Sequence, residues 1–242
     1  MTNEIKYEPR HVTADDIKNG CMTLTGGEGE EEKLCEIQEE FRQGIDGIKD
    51  IGPSVTFYGS ARLPQDHPEC IKTQNLAYRI GKELGYAILS GGGAGIMEAA
   101  NKGGKDAGAK SIGLTIKLPH EQATNPYVTA EIPFHFFFAR QVSMSYTTEA
   151  CIFCAGGFGT LNELFEVLTL LQTGKIGQIP IILYGVEFWT PIKNMIEEVF
   201  VKKYQTVSEN DINRFVVTDD VDEILEIVRV SKMRSSDDSL IE

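Results

Sequence analysis

Basic side chains are scarce in this 242-residue chain: 23 Lys and Arg stand against 36 Asp and Glu, for a net charge of −13. A chain of that balance has no basic face for a phosphate backbone, which excludes nucleic acid as a partner. Long apolar runs are absent too. None approaches the roughly 18 to 20 residues needed to cross a bilayer, and no charged segment followed by an apolar one opens the chain. No membrane partner and a cytoplasmic location are expected. The five cysteines (Cys21, Cys35, Cys70, Cys151, Cys154) are odd in number and scattered, so reduced thiols are expected. Cys151 and Cys154 lie three apart on a strand and face opposite sides, with no second pair or nearby histidine to complete a metal site. His67, His120 and His135 stand alone. There is no Gly-Lys-Ser/Thr, which excludes a P-loop, and no Gly-x-Ser-x-Gly elbow. No metal and no cofactor are called for.

Glycine, by contrast, is gathered at two places where an apolar run gives way to helical periodicity. From Ala150 to Ala155 the chain is apolar, Gly156, Gly157 and Gly159 follow, and Leu161, Leu164, Phe165, Leu168 and Leu171 then repeat at helical spacing. That is strand, loop, helix. Glycines there let the backbone approach a ligand closely, and the unpaired N–H groups of the first helical turn favour an anion, most often phosphate. Thr160 at the expected helix start, with Glu163 three residues on, has two readings. One is a capping box with no chemistry. The other is a carboxylate beside a phosphate ester held by the loop.

The second cluster, Ser90-Gly91-Gly92-Gly93-Ala94-Gly95, follows a short strand (86–89) and opens a helix near Ile96. It does not satisfy G-x-G-x-x-G in either frame, since the last glycine would fall on Ile96 or Glu98. A mononucleotide is expected in place of a dinucleotide. A β-rich run at 55–58 stops at Gly59-Ser60-Ala61-Arg62, a functional loop at a strand's C-terminal end. Further strands are expected at 111–116, 128–132, 180–184 and 215–218, with helices over 68–84, 134–142, 188–204 and 221–230, the last capped by Asp219 or Asp220. The segment 134–142 is apolar on nearly every side, so it reads as buried, and Arg140 inside it requires an anion. That anion is either a ligand or a core carboxylate.

Strands alternating with helices predict an α/β fold, a Rossmann-like, doubly wound, mainly parallel sheet with helices on both faces. Three regions are expected. Residues 1–50 form an acidic arm and helix, with 13 acidic and 6 basic residues, the helix (30–49) being a surface appendage or oligomer contact. Residues 51–230 form the nucleotide-binding domain, and 231–242 a disordered tail.

With these pieces placed, residues 52–230 resemble the LOG (Lonely Guy) family of cytokinin riboside 5′-monophosphate phosphoribohydrolases, and most of all its longer bacterial branch, which shares its fold with nucleotide 5′-monophosphate nucleosidases. The family signature Pro-Gly-Gly-x-Gly-Thr-x-x-Glu is matched by residues 155–163 with Ala155 in place of proline, and its Arg-Lys pair by Arg140-Gln141. The resemblance implies Arg140 and Glu163 as the catalytic pair. It implies substrate contacts from Ser60, Gly92, Gly93, Met97, Glu121, Gln141, Gly156, Gly157, Phe158, Gly159, Thr160 and Glu166. The implied reaction is hydrolysis of the N-glycosidic bond of a nucleoside 5′-monophosphate, AMP or a cytokinin riboside monophosphate, to free base and ribose 5-phosphate, by a homodimer or higher homo-oligomer. The family is often labelled lysine decarboxylase, but no motif here places a PLP-binding lysine. Gln141 and Ala155 depart from the family pattern and favour a rival, a non-catalytic nucleotide-binding protein like the molybdenum cofactor carriers. Retention of Arg140 and Glu163 favours the enzyme.

Overall fold

A computed structural model describes residues 28–118, 123–146 and 148–231. The N-terminal arm to residue 27, residues 119–122 with Glu121, and the tail from residue 232 lie outside the described residues. The element order is α1 (Glu28–Ile48), β1 (Ser54–Tyr58), α2 (Pro68–Arg79, continued by a π-helical turn Ile80–Leu84), β2 (Ala87–Ser90), α3 (Ile96–Asp106), β3 (Ser111–Ile116) and β4 (Ala130–Phe134). It continues with α4 (Phe137–Tyr146), β5 (Ala150–Phe153), α5 (Phe158–Gln172), β6 (Ile181–Tyr184), α6 (Val186–Met195, continued by π-helical Ile196–Lys203), α7 (Glu209–Ile212), β7 (Phe215–Thr218) and α8 (Val221–Val230).

Strands β1, β2, β5 and β6 are buried at every position, as unbroken apolar runs are when helices cover both faces of a parallel sheet. The strands form one sheet in the order β4-β3-β2-β1-β5-β6-β7, and every pairing is parallel. The alternation of side chains divides the core in two. Tyr58, Leu89, Leu114, Phe153, Leu164 and Trp189 pack on one face. Val55, Phe57, Ile88, Ile152, Ile182 and Ile224 pack on the other. Cys151 and Cys154 fall on opposite faces as free thiols.

The chain winds outward from β1 in one direction, then returns to begin β5 on the other side. The crevice outside the C-terminal ends of β1 and β5 is therefore where an open α/β sheet accepts a ligand. Backbone hydrogen bonds join the loops around it: Cys154 N donates to Tyr58 O (2.9 Å), Ser60 N to Ala155 O (3.0 Å), and Ile96 N to Ser60 O (2.9 Å).

Four expectations are corrected. Strand β4 runs to Phe134, two residues beyond the expected end, and the helix after it starts only at Phe137. That helix is not buried all round: Ala139, Arg140, Ser143 and Met144 face inward, while Phe137 is 54% and Phe138 45% exposed. The Phe-rich run thus spans a strand end, a turn and a helix, three environments that composition does not separate. Helix α1 is no appendage. Its Cys35, Glu40 and Ile48 are buried, and Gly44 and Gly47 bring it so close that a Cβ would collide with Phe134 and with Ile132. Cys35 is disulfide-bonded rather than reduced.

Candidate active site

The glycine turn after β5 starts its helix earlier than the Thr160 signal suggests. Gly157 is the N-cap, with φ −102° and ψ −152°, and no side chain caps the helix. Leu161 N donates to Gly157 O (3.0 Å) as the first helical bond, which leaves the amides of Phe158, Gly159 and Thr160 unpaired within the helix. The capping box is therefore corrected. Thr160 sits inside the first turn, buried against Gly156, where a side chain would collide with it. Glu163 stands in the second turn, too far along to cap. A Cβ on Gly157 or Gly159 would meet nothing, so these two glycines open onto empty space and not onto protein.

Arg140 reaches the same space from α4. Its Nε donates to Leu114 O on β3 (2.8 Å), which aims the guanidinium across the C-terminal end of the sheet. Its Nη2 lies 3.5 Å from Glu163 Oε1, with the two side chains only 10% and 14% exposed. The sequence asked for an anion beside Arg140, and in the folded chain it is Glu163. The separation exceeds the roughly 2.7–2.9 Å of a tight charge-assisted bond, so both groups keep hydrogen-bonding capacity toward the cleft.

Burial pushes the Glu163 carboxyl up to about 7 against the opposing pull of Arg140, and the neighbouring Glu166 adds to the rise. Desolvation outweighs the nearby cation because the pair is loose and little water reaches it. Beneath them, Tyr58 stacks on Phe153 with rings 4.5 Å apart and nearly parallel. Burial raises its phenol well above the ordinary range, and the field of Cys151 and Glu163 adds to it.

The cleft measures about 680 Å³, within the usual span for small-molecule sites. Ser60, Ala61 and Arg62 line it from the loop after β1, Met97 from α3, Phe137, Arg140 and Gln141 from α4, and residues 156–163 from the β5–α5 turn. A smaller apolar cavity of about 120 Å³ lies between α5 and β7, but its charged residues Asp211 and Arg214 pair with each other at 2.8 Å. Convergent unspent polar groups distinguish the larger cleft. Among the described residues no group of three or more His, Cys, Asp or Glu side chains is placed to hold a metal ion, and no helix is long and apolar enough to cross a membrane.

Most sequence-predicted site residues meet there: Ser60, Met97, Arg140, Gln141, Gly156, Gly157, Phe158, Gly159, Thr160 and Glu163. Gly92 and Gly93 do not line it. Their carbonyls accept from Asn125 Nδ2 (both 3.0 Å), within a buried network of Ser90, Asn101, Ser111 and Asn125. Glu166 lies one turn beyond Glu163, its carboxyl raised by burial, outside the lining. Sequence reasoning missed Arg62, Phe137, Tyr58 and Gly91. Of these Arg62 and Gly91 carried a signal, Arg62 as the last residue of the loop after β1 and Gly91 as a member of the second glycine cluster.

Comparison with known proteins places this geometry in a family. Residues 97–228, more than half of the chain, match the family described as possible lysine decarboxylase. The cytokinin riboside 5′-monophosphate phosphoribohydrolase LOG of Oryza sativa is 35% identical over 133 residues, which are 51% of this chain but only 53% of that protein. An uncharacterized protein of Archaeoglobus fulgidus is 29% identical over 127 residues, 50% of this chain and 81% of that protein. In fold, the chain is similar to the molybdenum cofactor carrier protein of Chlamydomonas reinhardtii (TM-score 0.54, 21% identity, 74% of this chain and 96% of that one). It is similar also to the molybdenum cofactor binding protein of Rippkaea orientalis (TM-score 0.52, 20% identity, 74% and 96%). On the match over more than half its length, the chain belongs to the family described as possible lysine decarboxylase, the family of the LOG phosphoribohydrolases.

Proposed function

We propose that the protein hydrolyses the N-glycosidic bond of a nucleoside 5′-monophosphate, with AMP or a cytokinin riboside monophosphate as first candidates. The observation that carries this reading is the loose, buried contact of Arg140 with Glu163, facing a cleft whose floor is an uncapped helix N-terminus. The 5′-phosphate rests on the amides of Phe158, Gly159 and Thr160, where helix-end N–H groups favour an anion, so a nucleotide binds better than a nucleoside. As the C1′–N bond breaks, positive charge develops at C1′, by analogy with O-glycoside cleavage. Ionised Glu163 stabilises that charge and takes a proton from the water that attacks C1′. A carboxyl poised near neutrality suits this task. Arg140 supports the electron pair departing with the base, and the departing nitrogen takes up the proton that Glu163 received from the water, which leaves free base, ribose 5-phosphate and an ionised Glu163.

No lysine lines the cleft among the described residues, so the decarboxylase label finds no group there to hold PLP. Non-catalytic carriage of an anionic ligand is less favoured, because it gives no task to the buried carboxyl of Glu163 that faces Arg140 at the cleft. Assembly as a homodimer in the cytoplasm belongs to the same proposal and is read by light scattering and cell fractionation.

The test is incubation of the purified chain with AMP, a cytokinin riboside 5′-monophosphate, CMP, GMP and IMP and chromatography for free base. Release of base from at least one, lost in folded Glu163→Ala, is the expected result. Undiminished release by that variant refutes the role of Glu163, and no release from any nucleotide refutes the activity.

A further inference from the structure

Helix α1 meets the site through one side chain. Glu40, 7% exposed, accepts from the amides of His135 (Oε1, 2.7 Å) and Phe136 (Oε2, 3.0 Å), and its Oε1 is also 2.7 Å from His135 Nδ1. These are the two residues that lead into α4. The carbonyl of Phe136 in turn accepts from the backbone N–H of Arg140 (3.2 Å). A single carboxylate, 95 residues before His135 in sequence, therefore holds by its N–H the residue whose carbonyl accepts from Arg140.

Around this contact the packing leaves little play. Phe41 and Phe138 rings stand 6.0 Å apart, Phe136 and Phe138 5.5 Å apart, and a Cβ on Gly44 would meet Phe134 and Ser143. A buried carboxylate bonded to two amides binds more strongly than a neutral acceptor and fixes their orientation. Arg140 reaches Glu163 over 3.5 Å, so a small rotation of the first turn of α4 decides whether the guanidinium sits over the reacting bond.

We propose that Glu40 is a positioning residue for Arg140: by clamping the entry to α4 it sets the distance between the guanidinium and Glu163, and through it the rate of the chemical step. This rests on the function proposed above. A clamp that served folding alone would lower stability and leave the site's ionisation where it is, and the two roles part there. Besides Arg140, the groups facing Glu163 are Glu166 on its own helix and Tyr58 on β1, and neither touches Glu40.

The experiment compares the full chain with Glu40→Gln and Glu40→Ala at a temperature where circular dichroism shows all three folded. With the nucleotide the wild type turns over, kcat of Glu40→Ala is expected to fall about tenfold or more with KM little changed, as for a misplaced catalytic group. The ascending limb of its kcat/KM profile moves to higher pH, because Arg140 lowers the Glu163 pKa and is now farther away. Glu40→Gln, which keeps the shape and one acceptor oxygen, falls between. Should the wild type turn over no nucleotide, the Glu163 carboxyl is titrated by carbon-13 NMR in all three proteins. The same upward movement supports the clamp although the hydrolysis reading has failed. If Glu40→Ala does not fold, Glu40→Gln alone carries the comparison. Folded variants with unchanged kcat, limb and Glu163 titration overturn the proposal.

Discussion

Gly91 and Arg140 share a space with no room for a further atom: a Cβ on Gly91 would stand 2.6 Å from Arg140 Nη2 and 2.8 Å from Met97 Sδ. Gly91 does not lie in the left-handed region, so alanine is allowed by the backbone and the strain falls on the flexible end of Arg140. Gly91→Ala is expected to fold with a nearly unchanged melting temperature and to lose roughly 10²-fold in kcat/KM, as misplacement of a catalytic group by about 1 Å does. Retained activity with a displaced Arg140 in a crystal structure would refute the role given to the guanidinium.

The pH dependence of turnover is set by Glu163. Its carboxyl sits at about 7 and acts ionised, so kcat/KM should rise about tenfold per pH unit below that point and level above it. Arg140→Met removes the charge that holds the carboxyl down, so its limb moves upward while the plateau drops by roughly 10²-fold or more. A limb that stays in place in Arg140→Met would show that the two side chains do not communicate.

The same burial makes Glu163 a cost to the fold. Below pH 4.5 the group is protonated in both states and costs nothing. As pH rises from 4.5 to about 7, the unfolded chain ionises and the folded one does not, so stability is lost. The loss amounts to about 3 kcal/mol above pH 7. In Glu163→Gln it is absent. Urea denaturation at pH 4 and pH 8 should show the variant gaining on the wild type by about that amount at the higher pH while losing its turnover.

Gly157 separates folding from ligand binding. Alanine there meets no atom of the protein and its φ of −102° is ordinary, so Gly157→Ala should cost no more than about 1 kcal/mol as a poorer N-cap. Its Cβ projects into the space given to the phosphate. The KM for a nucleoside monophosphate should rise while KM for the corresponding nucleoside does not, which steady-state kinetics on the pair measures.

Trp189 is fully buried and donates from Nε1 to Phe153 O at 2.8 Å, under the strand that carries the glycine turn. Trp189→Phe opens a cavity and deprives that carbonyl of its donor, which should cost about 2–4 kcal/mol in urea denaturation followed by circular dichroism.

Much of the molecule was legible along the chain. The buried strands were, because 111–116 and 215–218 are short apolar runs bounded by turns, and both were placed to the residue. So was the closing helix, expected to be capped by Asp219 or Asp220; the cap is Asp220, accepting from the amides of Asp222 and Glu223. The glycine turn after β5 was recognised, but its helix begins at Phe158 because an uncapped glycine, not Thr160, starts it.

What the sequence determined alone was the set of local choices: strand or helix, a turn that exposes amides, an arginine in apolar surroundings. What the tertiary structure decided was partnership. That Arg140 faces Glu163, that Gly91 backs the guanidinium, that Gly92 and Gly93 turn toward Asn125, and that Glu40 grips the entry to α4 all depend on contacts between residues distant in sequence. Such contacts are chosen by the winding of the sheet and the packing of helices upon it, for which periodicity carries no code.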